Sequence, residues 1–221
     1  MGVAALEKLE LLLTGIYDLR IECRVGDFLV TDRQALPGTC QNAPGDEQLF
    51  VTTVDDELCM SLFLDPDMLG RLQAHDPNED LHQGNVADCW TALEGISHFL
   101  CVAHHAEHDR QVSLLTLELQ AEIDKYVASF LLLHRRDPNR FPAELHTLLF
   151  RRTRIDPQLA AGRESLYRRA SRYAARFCAM LEPRLRALCR SGDGAWQAEL
   201  RRFYRLTDFG KLRHIERLQV C

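Results

Sequence analysis

Two pairs of ionisable side chains stand at a spacing that puts each pair on one face of a helix. Glu94 and His98 are four residues apart, as are Glu118 and Glu122, with Lys125 about one turn further on. Both pairs lie in stretches that are apolar around most of their circumference, the pattern of centrally buried helices. Carboxylates in such surroundings are costly unless paired, protonated or bound to a cation. A short polar link centred near Asp109-Arg110 joins the two stretches, so the helices are expected to run antiparallel. That fold sets residue 98 roughly opposite 122 and 94 opposite 126, with 118 nearer 102. Glu94, His98, Glu118 and Glu122 then form one candidate cluster of three carboxylates and an imidazole.

Oxygen-rich ligands with one imidazole suit a hard or borderline divalent cation such as Mn, Fe or Mg. The same groups could serve acid–base catalysis. Di-iron bundles repeat Glu-x-x-His on paired helices, whereas here the spacing is Glu-x-x-x-His and occurs once, which counts against that class. A plain ion network, with Lys125 or an arginine as partner, would use the same side chains without any ligand.

Other signals are weaker. His104-His105-Ala106-Glu107-His108 lacks the His-Glu-x-x-His spacing of zinc proteases and sits at a helix C-terminus, where the dipole favours histidines. His82 and Asp88 flank the entry to the first of the two helices. Asp55-Asp56-Glu57 reads as a solvated hairpin turn. Phosphate-cradling loops, dinucleotide fingerprints and nucleophile elbows are all missing from the sequence.

The net charge of −5 conceals a polarity. Residues 1–110 hold 6 basic and 20 acidic side chains, while residues 111–221 hold 21 basic and 12 acidic. Arg168, Arg169, Arg172 and Arg176 line one predicted helix and offer a candidate face for an anionic partner such as nucleic acid. Tyr173 and Phe177 fall on the apolar stripe of that helix, however, so they read as core rather than as stacking platforms.

The eight cysteines include no C-x-x-C pair, and several lie in apolar runs, so they are expected to be reduced core residues of a cytoplasmic protein. The opening segment is broken by Glu7, Lys8 and Glu10 and reads as neither a leader nor an anchor. The longest apolar run, Val127 to Leu133, is far too short to span a bilayer, so no membrane association is expected.

Periodicity supplies the elements. Helices are predicted at 3–18, from Asp65-Pro66 to about 75, at 86–107, 113–134, 162–181, 195–205 and 208–218, with a short one from Pro142 to Phe150. Pro183 is expected to kink or end the 162–181 helix. Gln48–Val54 and Leu58–Leu64 read as a β-hairpin, preceded by β-like runs at Arg20–Val25 and Phe28–Thr31. The expected class is α+β, mainly helical, with a small unit of helix and antiparallel strands (1–76) packed on a helical unit (84–221) and one shared core. The expected function is, first, an accessory protein acting through protein contacts. A metal-dependent or acid–base enzyme using the Glu/His cluster, or a nucleic-acid binder using the arginine face, is the alternative.

Overall fold

The computed structural model describes residues 3–36, 41, 45–55, 57–152, 161–192 and 194–218. Asp56 of the predicted hairpin turn lies outside the described residues. In chain order the elements are α1 (Val3–Tyr17), β1 (Leu29–Val30), β2 (Glu47–Val54), β3 (Glu57–Leu64), α2 (Pro66–Ala74), α3 (Val86–Ala106), α4 (Leu114–Arg136), α5 (Leu145–Thr147), α6 (Ala161–Ser191), α7 (Ala195–Tyr204) and α8 (Asp208–Arg217). The fold is mainly helical α+β.

Local chemistry sets several boundaries. The Asp65 side chain accepts from the N–H groups of Asp67 and Met68, and Pro66 opens α2 where no N–H partner is needed. Ser113 caps α4 through the Thr116 N–H, and Thr207 caps α8 through the Gly210 N–H. Asp109 takes a left-handed φ of 51°, which lets the chain leave α3 while Arg110 N–H bonds back to the His105 carbonyl.

α3 and α4 run antiparallel at the centre. Their register shows in the Trp90 indole donating to the Ser129 hydroxyl (2.9 Å), Lys125 bonding Glu94 (3.0 Å) and Ser97 bonding Asp124 (2.6 Å). α6 packs along α4, while α1 and the sheet pack on α3. One continuous apolar cluster takes side chains from α1, β3, α2, α3, α4, α6, α7 and α8, including Leu9, Leu62, Leu69, Phe99, Ile123, Phe177, Phe203 and Ile215.

Three elements differ from the sequence expectation. The sheet has the order β1-β3-β2, with β2 and β3 antiparallel but β1 joining β3 in parallel, so it is mixed. Most of the 20–25 run is not strand; a 3₁₀ turn occupies Val25–Phe28, and the Val25 N–H donates to the buried Glu10 carboxylate (3.3 Å) instead of a ladder. α6 runs through Pro183 to Ser191. Proline removes one helical N–H, but Ala179, whose carbonyl would have accepted it, is exposed to water, and Leu181 and Leu185 are buried on either side. Among the described residues, no helix is long and apolar enough to cross a membrane.

Candidate metal centre

The antiparallel crossing brings Glu94, His98 and Glu118 together. One ligand atom from each lies within 4.8 Å of the others. His98 Nε2 is 3.7 Å from Glu118 Oε1, and it is buried without a hydrogen-bond partner. The other ring nitrogen, Nδ1, faces Glu47 Oε1 at 3.4 Å. Lys125 Nζ bridges Glu94 (3.0 Å) and Glu122 (2.5 Å).

Glu122, expected at the cluster, is therefore drawn away from it. Lys125 lies three residues on, within reach along the same helix, and captures the Glu122 carboxylate. His98 reaches Glu118, one turn before the residue expected opposite it. Glu94 is the opening to water, with 28% of its side chain exposed against 6% for Glu118.

Glu47 was not singled out in the sequence, because it sits on β2, fifty-one positions from His98. Gly95 helps explain its presence. A Cβ at position 95 would lie 3.0 Å from Glu47 Cγ and 3.0 Å from Leu62 Cδ1. With a Cβ there, both side chains would have to give by a few tenths of an ångström, so the glycine eases the sheet's approach to α3.

The electrostatics are lopsided. Four carboxylates (Glu47, Glu94, Glu118 and Glu122) face two cations at most, Lys125 and protonated His98. Burial pulls the His98 imidazole down, but Glu47, Glu118 and Glu94 outweigh it and hold it up at about 9. Burial pushes the Glu118 carboxyl up to about 7 despite the nearby imidazole. Burial also raises Glu94, yet Lys125 and His98 more than offset that and keep it below the usual carboxylate range.

A second buried polar cluster occupies the opposite side of the same two helices. Asp124 accepts from Tyr17, from Ser97 (2.6 Å) and from Gln120 (2.8 Å), and Lys211 of α8 donates to Gln120 Oε1 (2.8 Å). Lys211 is fully buried, with its ammonium over the rings of Tyr204 (5.1 Å) and Phe203 (5.3 Å). None of these residues was read from the sequence as part of a site.

The other sequence candidates are placed as follows. Arg71, not a ligand, holds Asp88 (2.7 Å), and His82 Nδ1 accepts from the Gly84 N–H (3.0 Å). Arg168 pairs with Glu164 on its own helix (2.6 Å), and Arg169 and Arg172 lie over the Tyr173 ring. Arg176 turns inward, donating to the Leu218 and Glu216 carbonyls at the end of α8. Arg168, Arg169 and Arg172 are exposed. At the C-terminus of α3, one ligand atom each from His104, Glu107 and His108 also fall within 4.8 Å of one another. Burial, and then the charge of His108 and His105, holds the His104 imidazole down at about 4.

No family model, curated protein or solved structure matches the chain. Function is therefore read from its own side chains.

Proposed function

We propose that this chain is a divalent-cation-binding protein whose ion lies between α3 and α4 on Glu94, His98 Nε2 and Glu118. The observation that carries this reading is His98 Nε2, a buried nitrogen with no hydrogen-bond partner among the described residues, aimed into carboxylates that outnumber the cations around them. Glu47 supports it from behind. With both ring nitrogens protonated at neutral pH, an entering cation displaces the proton on Nε2, and the Glu47 carboxylate then keeps the other on Nδ1, the usual arrangement around metal-bound histidine.

Donors on an octahedral ion stand about 3.0 Å apart when adjacent and about 4.2 Å when opposite, for bonds of ~2.1 Å. Of three donors at most one pair is opposite, so a group spanning up to 4.8 Å draws in by roughly 1–2 Å on binding. Two carboxylates and one imidazole favour Mn, Fe or Mg over a thiophilic ion, and a bound cation would offset the excess negative charge. Glu94, the most exposed of the three, faces the approach from solvent.

The test is titration of chelator-treated protein with Mn²⁺. One ion is expected to bind, with the affinity falling at least roughly tenfold in Glu118→Gln and in His98→Gln, since even outer partners of metal ligands are worth that much. Wild type and both variants binding alike, or none of them binding, would refute the reading.

A second reading, binding of a protein partner, draws on the β2–β3 hairpin. Its core-facing stripe runs past the helical layer, leaving Val51 and Leu58 exposed beside each other on one face. Val54 is exposed on the other face. Loss of a co-purifying partner on Leu58→Lys would support this reading; an unchanged set of partners would count against it.

A further inference from the structure

The end of α3 and the turn that follows carry metal-ligand side chains that take no part in the buried centre. We propose that His104, Glu107 and His108 form a second, surface cation site that takes an ion of the zinc class. His104 and His108 are one helical turn apart on the same face, and their ring centroids are 4.5 Å apart. The Glu107 carboxylate completes a group whose ligand atoms lie within 4.8 Å of one another.

The rings are already oriented. His108 Nδ1 stands 2.8 Å from the His104 carbonyl oxygen. A carbonyl only accepts, so Nδ1 carries the proton and Nε2 keeps its lone pair free for a ligand. His104 is held from the other side by the Tyr204 ring, with centroids 5.3 Å apart. Among the described residues, no hydrogen bond occupies either His104 ring nitrogen. Two imidazoles and one carboxylate, with water in the fourth position, is a donor set of open zinc sites. The carbonyl end of a helix adds a partial negative charge that favours a cation.

The two sites are independent. Residues 104–108 lie six to ten positions beyond His98 along the same helix, which at 1.5 Å per residue is roughly 9–15 Å. That is too far to share one ion. Their chemistries also differ: the surface set is richer in nitrogen and accepts borderline ions more readily than the carboxylate centre does.

The experiment titrates untagged, chelator-treated protein with Zn²⁺ in the Glu118→Gln background, which removes a ligand of the buried centre. One Zn²⁺ is expected to bind, with the imidazole resonances of His104 and His108 shifting together. Adding His108→Ala should weaken that binding at least roughly tenfold, and adding Glu107→Gln should weaken it less. Both positions are exposed, so both variants should keep the helical far-ultraviolet spectrum of the parent. Zinc affinity unchanged by His108→Ala and by Glu107→Gln would overturn the proposal, as would an absence of binding in the Glu118→Gln parent. Failure of the buried centre gives a different result: Mn²⁺ binding insensitive to Glu118→Gln, with the zinc response to His108→Ala intact.

Discussion

Two polar clusters share the same pair of helices and differ in one respect that decides their roles. On the side facing α1, α7 and α8, Asp124 is matched by neutral donors and by a single buried lysine reached through Gln120. Asp208 also lies close enough to act on the lysine, and the loose ends are the Tyr204 hydroxyl and Asp208 Oδ1, both buried without a hydrogen-bond partner among the described residues. On the side facing the sheet, four carboxylates stand against two bases, a ring nitrogen lacks a hydrogen bond among the described residues, and Glu94 touches water. The first network, held largely by neutral donors away from water, sets how the helices sit; the second, with more acids than bases and Glu94 partly exposed, is the one on which the proposed cation site rests. The neighbours Ser97 and His98, and Asp124 and Lys125, divide between the two because successive helical residues point about 100° apart.

The sharpest way to break this contrast is to remove each buried lysine. Lys125→Met strands Glu94 and Glu122 beside each other, and urea unfolding without added metal should show a loss of roughly 3 kcal/mol, the low end for a broken buried pair because both carboxylates keep some water. Lys211→Met leaves the buried Gln120 Oε1 without its donor and Asp124 without the base that faces it, and should cost roughly 1–2 kcal/mol, less than Lys125→Met because the direct partner is a neutral amide. Equal losses from the two substitutions would erase the distinction.

A smaller effect is expected from Gly95→Ala. Alanine gains up to about 1 kcal/mol of helix propensity, but its methyl meets Glu47 and Leu62 at 3.0 Å. Overpacking of that kind costs roughly 1–3 kcal/mol, so a net loss of about 1 kcal/mol is expected from thermal unfolding. Weaker Mn²⁺ binding should accompany it, because Glu47 is pushed from His98. Unchanged binding would remove Glu47 from the centre.

The smallest effect concerns pH in the Asp124 network. Burial pushes Asp124 up to about 6, against the hydrogen bonds from Ser97, Tyr17 and Gln120. The folded chain therefore binds this proton more tightly than the unfolded chain, where an aspartate titrates near ~3.9. This group's contribution to stability should rise as pH falls through 6 toward 4, and be complete below that. Asp124→Asn should flatten that part of the pH–stability curve, measured by urea midpoints; an identical slope in the variant would contradict the assignment.

The helical frame was legible because it depends on local chemistry. Apolar periodicity and the Asp65-Pro66 start placed α2, α3 and α4 within a residue or two. Glu94 and His98 could be paired by counting turns. Glu118 and Glu122 could not be told apart that way, since both share a face and the choice rests on how far Lys125 reaches. Glu47 was invisible because a strand's approach is tertiary, and Gly95 could not be told from Gly15 or Gly70, which have nothing near them. Asp124 carried a signal that went unused, an acid beside Ile123 in the middle of an apolar helix. Its partners Tyr17 and Lys211 come from the two ends of the chain, and no spacing rule connects them. Pro183 does not end α6, for a physical reason of its own: a helix anchored by Leu181 and Leu185 tolerates a missing N–H where the orphaned carbonyl meets water.

The central claim is that His98 Nε2 holds a cation. Pulsed electron paramagnetic resonance of Mn²⁺ bound to the His108→Ala chain tests it most directly, because that substitution disables the surface triad. The prediction is a ¹⁴N coupling from one directly bound imidazole that disappears in His98→Gln. Bound Mn²⁺ showing no nitrogen coupling, or a coupling that survives His98→Gln, would contradict the account.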